Sequence, residues 1–280
     1  MIEAYAFLAA FTVQILVMSV LLPLWFIKYV RAQAARFPAE RLAQMYPDVD
    51  LDQARERFVS RYRTVVAGIA VVGLLFLGWL FSYMRRPTWD EDTVSVLVTV
   101  YFLVAQILPL AILVGSGIKF NRDHKRPLPE TKRTAVLQRR GLFDFVSPLA
   151  VVLAVVAYFL FAAFVGYLQL HPFNGFAGIK SMIGVTLIYS LVAIVVYTHL
   201  YGRKIPLQTD EARAHTIGLT VRIAIYTCIL TVTFVSLIFA LELLELKRWE
   251  PFALSVFLAT TTLLSSMGLT APPRKPVSAF

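Results

Sequence analysis

Long apolar runs separated by short charged segments dominate this chain of 280 residues. A helix rises about 1.5 Å per residue, so roughly 20 apolar residues cross a hydrocarbon core of about 30 Å. Seven runs are about long enough, at residues 4–27, 64–84, 94–118, 146–168, 176–201, 218–244 and 252–269. The runs are continuous rather than alternating, and an open sheet would leave backbone groups unsatisfied in lipid. The pattern predicts an all-α membrane protein, with residues 1–280 forming a single domain built as a seven-transmembrane-helix bundle.

The seventh run is the shortest, at about 18 residues from Phe252, and it is rich in hydroxyl side chains. That length is close to the lower limit for a transmembrane helix. Small residues recur on one stripe that other helices would cover, namely Ser255, Ala259, Thr262 and Ser266. We therefore expect a packed transmembrane helix that leaves Phe257 and Leu264 for lipid.

The distribution of basic residues predicts the orientation. Of the 27 Lys and Arg residues, 22 follow the first, third, fifth and seventh runs and five lie on the other side. The positive-inside rule places the basic side in the cytoplasm. The N-terminus is then outside and the C-terminus cytoplasmic, in a multi-pass protein of the inner (cytoplasmic) membrane.

The net charge of +10 is mostly this topology signal, so we expect no nucleic-acid partner. The basic loops lie near the bilayer, where each cation gains about 1 kcal/mol from anionic headgroups, so membrane lipids are predicted partners.

The composition argues against an enzyme. Cys228 is the one cysteine, which excludes an intrachain disulfide and a paired-cysteine metal motif. The chain has no phosphate-binding glycine loop and no GxSxG or HExxH arrangement. The sequence therefore predicts no catalytic residues, no metal site and no cofactor.

Several local features follow from turn and capping residues. Pro38 to Tyr46 is typical of a short interfacial helix. Asp50 or Asp52 is expected to cap the next helix, which presents Phe58, Val59 and Tyr62. Pro23 and Pro109 are expected to kink the first and third spans.

Neutral polar side chains are the main candidates at membrane depth. Gln14, Ser190, Thr227, Cys228 and Ser236 belong to this group. Gln106, Tyr189 and Thr231 lie near the middle of their runs and form a candidate polar pathway. The alternative interpretation is helix packing, since hydroxyl and amide groups bond across helices with gains of roughly 0.6 to 2 kcal/mol.

Small residues at helical spacing indicate helix contact faces. They recur at Ala111 and Gly115, at Ala162 and Gly166, at Thr220, Ala224, Thr227 and Thr231, and on the seventh run.

A candidate charge cluster lies toward the outer side. Lys180 begins one run, and Glu242 and Glu245 end the next. On antiparallel neighbouring helices these residues reach similar depths, so we expect the amine within about 8 Å of a carboxylate. The alternative is that all three reach separately into the headgroups.

Two functions remain open. The first is a non-enzymatic accessory or interaction component, with a membrane-protein partner or a second copy of the chain. The second is a small transporter or channel for an uncharged, lipid-like or weakly anionic solute, which passes the candidate polar pathway. A water-filled cavity touching that pathway would favour the second function.

Overall fold

The computed structural model describes residues 2–34, 43–86, 89–124, 141–172, 176, 178–202 and 210–270. Within these ranges the regular structure is helical and no strand occurs. The helices are α1 (Ile2–Leu16), α2 (Leu22–Ala34), α3 (Leu51–Tyr83), α4 (Glu91–His124), α5 (Pro148–Leu170), α6 (Gly178–Tyr201), α7 (Asp210–Leu243) and α8 (Glu250–Thr270). The all-α prediction is therefore confirmed.

Six segments in the described ranges are long and apolar enough to cross a membrane. They are Ile2–Ala32, Leu51–Tyr83, Glu91–Pro109, Pro148–Leu170, Gly178–Tyr201 and Arg213–Leu243. The seventh predicted run is a helix, α8, but it is not among the six, so seven spans and the positions of the termini stay predictions.

A π-helical turn, Val17–Leu21, joins α1 to α2 without a break. The backbone N–H of Leu22 donates to the carbonyl of Val17, five residues earlier. Pro23 follows this turn and has no N–H to donate to Ser19, four residues earlier, and its ring would crowd that carbonyl. The wide turn accommodates both defects, which is why the helix continues through Pro23. Pro109 likewise lies inside α4, which continues on both sides of it.

The entry to α3 matches its prediction. The Asp50 carboxylate accepts hydrogen bonds from the backbone N–H groups of Asp52 and Gln53, both at 3.0 Å. Val59 and Tyr62 on the next turns are buried against Ile27 of α2. Of the predicted interfacial helix, residues 43–45 are helical and residues 38–42 lie outside the described part of the chain.

Contacts divide the chain into two compact units, Met1–Val136 with Leu269–Phe280, and Leu137–Gly268. In the first unit, Phe11 of α1 packs edge-on against Phe76 of α3 and Tyr101 of α4, each at 5.6 Å between ring centroids. This aromatic group holds three helices together.

In the second unit, α7 packs against both α5 and α6. Near the start of α5, Phe145 and Ala150 are buried with Val221 of α7. Near the other end, Phe161 of α5 stacks on Phe239 of α7 at 6.3 Å between centroids. The core of this unit is therefore apolar along the length of α5.

Candidate functional site

The three residues of the predicted polar pathway have different environments. The side chain of Gln106 lies outside the described part of the chain. Tyr189 of α6 is half-buried, and its hydroxyl donates to the carbonyl of Ala154 in α5 at 2.9 Å. Thr231 of α7 is buried, with 7% of its surface exposed. The Tyr189 hydroxyl is thus engaged in a bond between two helices, as the packing interpretation expects.

Tyr158 of α5 extends this polar contact. Its ring centroid lies 5.1 Å from that of Tyr189, and its hydroxyl is 3.0 Å from the Thr186 hydroxyl of α6. Because a polar group left unpaired in lipid is costly, these bonds favour close packing of α5 on α6.

A lateral cleft of about 390 Å³ lies between α7 and α8. Its lining residues are Tyr226, Ile229, Leu230 and Thr233 of α7 and Thr260, Leu263 and Leu264 of α8. The hydroxyls of Thr233 and Thr260 donate to carbonyls of their own helices, those of Ile229 and Val256, at 2.9 and 2.8 Å. The lining is therefore mostly apolar, and neither Tyr189 nor Thr231 of the predicted pathway belongs to it.

The predicted outer charge cluster lies at the ends of α6 and α7. Lys180 is exposed in the first turn of α6, Glu242 is half-buried in the last turn of α7, and exposed Glu245 follows α7 with a φ of 60°. Phe176, just before α6, packs edge-on against Phe239 of α7 at 5.4 Å between centroids, so the two ends lie at the same level. No direct ion pair of Lys180 is found among the residues that the structure describes. Proximity within about 8 Å stays a prediction.

Gln14 of α1 is a polar residue that the predicted pathway left out. It is fully buried, with 0% of its surface exposed, and neither Nε2 nor Oε1 has a hydrogen-bond partner among the described residues. It lies one turn before the π-helical turn, where Ser19 is also buried. Its position inside an apolar run was visible in the sequence, but whether a neighbouring helix would bond the amide was not.

The small-residue faces divide into two classes. On α8, Ser255, Thr262 and Ser266 are buried, as predicted. On α4, Ala111 and Gly115 are exposed, and a Cβ built on Gly115 meets nothing within 4 Å. The α4 face is therefore not used in packing among the described residues.

The described ranges contain no group of three or more His, Cys, Asp or Glu residues that could hold a metal ion. Cys228 is a buried free thiol in α7.

Comparisons of the chain with protein-family models, with curated proteins and with solved structures find no match.

Proposed function

We propose that this chain is a non-enzymatic accessory component of the cytoplasmic membrane, and that it associates with another membrane protein or a second copy of itself. One observation carries the proposal, the exposed pair Ala111 and Gly115 on α4. Small residues four apart let two helix backbones approach closely in lipid, where van der Waals packing drives association. A face of this kind that stays open suits a partner helix.

The proposal includes the orientation and the seventh span. We place the 22 basic residues in the cytoplasm, with the N-terminus outside and α8 crossing the bilayer so that the tail is inside. Support for the crossing comes from the buried stripe on α8 and from the bonds that its hydroxyl groups make within the helix.

The test is crosslinking in native membranes through Ala111→Cys, in a Cys228→Ala background. We expect a crosslinked adduct, whose mass tells a second copy from a different partner. Gly115→Leu should abolish the adduct, because its side chain separates the helices. Gly117→Leu is the matched control, since Gly117 is also open but lies on the opposite side of α4.

Two outcomes would overturn the interaction role. One is the absence of any adduct from Ala111→Cys. The other is an equal loss of the crosslinked adduct with Gly115→Leu and with Gly117→Leu. Such a result would indicate that both substitutions disturb α4 as a whole rather than one of its faces.

The second candidate, a small transporter or channel for an uncharged, lipid-like or weakly anionic solute, is favoured by Gln14. A buried amide with no hydrogen-bond partner among the described residues suits a bound water or a polar solute group. The test is labelling of Gln14→Cys in membranes with a water-soluble thiol reagent, again in a Cys228→Ala background. The accessory role predicts no labelling, with exposed Lys180→Cys as the labelled control, whereas modification at position 14 would favour transport.

A further inference from the structure

We propose that Arg222 and the cleft between α7 and α8 form a binding site for one diacyl phospholipid with an anionic headgroup. The phosphate binds the Arg222 guanidinium and one acyl chain occupies the cleft. This site does not depend on the α4 face, so it stands independently of the proposed function.

Arg222 is a cation held in place from one side. Its Nε donates to the carbonyl of Phe145, just before α5, at 3.0 Å. The residue is exposed, and among the described residues it makes no ion pair and no other hydrogen bond. Because Nε is used, the two terminal amino groups remain for an acceptor such as a phosphate, which a guanidinium binds through two parallel bonds.

Arg222 shares a helix face with the cleft. Tyr226, Ile229 and Thr233 follow it at steps of four, three and four residues, which keeps all four on one side of α7. Tyr226, the first cleft residue, is about 6 Å along the axis from Arg222. A lipid whose phosphate sits at Arg222 therefore has its acyl chain aligned with the cleft.

α7 and α8 are in direct contact near the cleft. The rings of Phe234 of α7 and Phe257 of α8 stack at 4.2 Å between centroids, one residue after Thr233 and three before Thr260.

The extent and chemistry of the cleft favour an acyl chain over a protein helix. Its lining covers only about two turns of α7 and fewer of α8, whereas a transmembrane helix partner needs a groove many turns long. The apolar lining fits a hydrocarbon chain, and Arg222 selects a negative headgroup over a neutral one.

The experiment is native mass spectrometry of the detergent-purified chain, titrated with phosphatidylglycerol and with phosphatidylcholine of the same acyl chains. We expect phosphatidylglycerol to bind about fivefold more tightly than phosphatidylcholine. This fold-change corresponds to the free energy that one basic residue near a bilayer surface gains from anionic lipid. Arg222→Gln should remove this preference, because it weakens binding of phosphatidylglycerol more than that of phosphatidylcholine, whose phosphate is offset by the positive choline. Thr233→Trp keeps Arg222 but fills the cleft, so it should weaken binding of both lipids.

Lys180→Gln is the matched control, because it removes an exposed charge at the other end of the same unit and should change neither affinity. A variant is compared with wild type only if it elutes at the wild-type volume, because an unchanged elution volume indicates that the variant is folded. The proposal is overturned if Arg222→Gln or Thr233→Trp binds phosphatidylglycerol like wild type. It is also overturned if glycerol phosphate, which has no acyl chains, competes as well as the lipid, since the site would then be one for free phosphate.

Discussion

Gly73 of α3 lies at the closest approach of three helices in the first unit. A Cβ at this position would collide with the phenol of Tyr101 of α4 and would lie 3.3 Å from Cγ2 of Ile15 of α1. Tyr101 is itself confined, because its ring packs against Phe11 and its hydroxyl lies 3.4 Å from the carbonyl of Ile69. A hydrogen at Gly73 is therefore what lets the phenol lie against the α3 backbone.

We predict that Gly73→Ala destabilises the protein by about 1–3 kcal/mol, the usual cost of overpacking a filled core. The measurement is thermal unfolding in detergent, followed by loss of the monodisperse species on heating. Gly68→Ala is the matched control on the same helix, because a Cβ there meets nothing within 4 Å. Equal stability of the two variants would show that Tyr101 moves aside at little cost.

Single residues also show what the sequence could and could not predict. Tyr189 was predicted as a neutral bonding group at depth, and its bond to Ala154 fits the packing alternative. That the Gln14 amide has no hydrogen-bond partner among the described residues could not be predicted, because this depends on which side chains the neighbouring helices bring close. The sequence indicates Arg222 only as a topology charge, because its bond to Phe145 joins residues 77 positions apart.

At the scale of a single element, α8 shows how a hydroxyl-rich helix suits lipid. Five hydroxyl side chains, those of Thr260, Thr261, Thr262, Ser265 and Ser266, donate to carbonyls three or four residues earlier at 2.7–2.9 Å. These bonds satisfy the polar hydrogens inside the helix, which lowers the cost of placing them in hydrocarbon.

The faces of α8 were predicted from sequence only in part. The buried stripe followed from helical spacing and is confirmed by Ser255, Ala259 and Thr262. Phe257, however, was expected to face lipid and is half-buried, because it stacks on Phe234 of α7. Spacing within one helix predicts which residues share a face, but the identity of the neighbour depends on tertiary packing.

We predict that α8 crosses the membrane and leaves the C-terminus in the cytoplasm. A protease added outside sealed cells should leave a C-terminal tag intact, while permeabilised cells should lose it. Loss of the tag in sealed cells would instead mean six spans and an external tail.

At the scale of the whole molecule, the asymmetry of basic residues is the strongest signal in the chain. The described helices extend past the apolar runs on the basic side, as α3 does with Arg57 and Arg61 in its first turns. This arrangement places these cations on rigid helical elements. The existence of six candidate spans was predictable because hydropathy is local, whereas the division into two units depends on contacts that hydropathy does not encode.

We predict that Arg57→Cys is protected from an impermeant thiol reagent in sealed cells and that Arg85→Cys is labelled, both in a Cys228→Ala background. Both positions are exposed in the structure, so a difference between them reports the side of the membrane. Labelling of Arg57→Cys but not of Arg85→Cys would reverse the orientation.

The π-helical turn ahead of Pro23 corrects the rotational phase of the first span. Phe11, Ile15, Ser19, Pro23 and Ile27 are all buried, each four residues after the last. In a regular α-helix, at about 100° per residue, Ile27 would be turned about 160° from Phe11. One residue absorbed by the wide turn reduces this offset to about 60°, so both ends of the span keep one side toward the protein.

The wide turn therefore behaves as a single-residue insertion, so the chain should tolerate the loss of one residue at this position. Deleting Val20 together with Pro23→Ala should restore a regular helix while preserving the phase of Ile27, so we expect folded protein in the membrane. Deleting Val13 rotates every residue after it by about 100° relative to Phe11 and should abolish folding. Each deletion variant is expressed as a fusion protein, and the amount that is monodisperse in a detergent extract measures how much has folded. Equal yields of the two variants would show that the rotational phase of this span is not constrained. A span that looks continuous by hydropathy thus carries a position where its length can change by one residue without changing which side faces its neighbours.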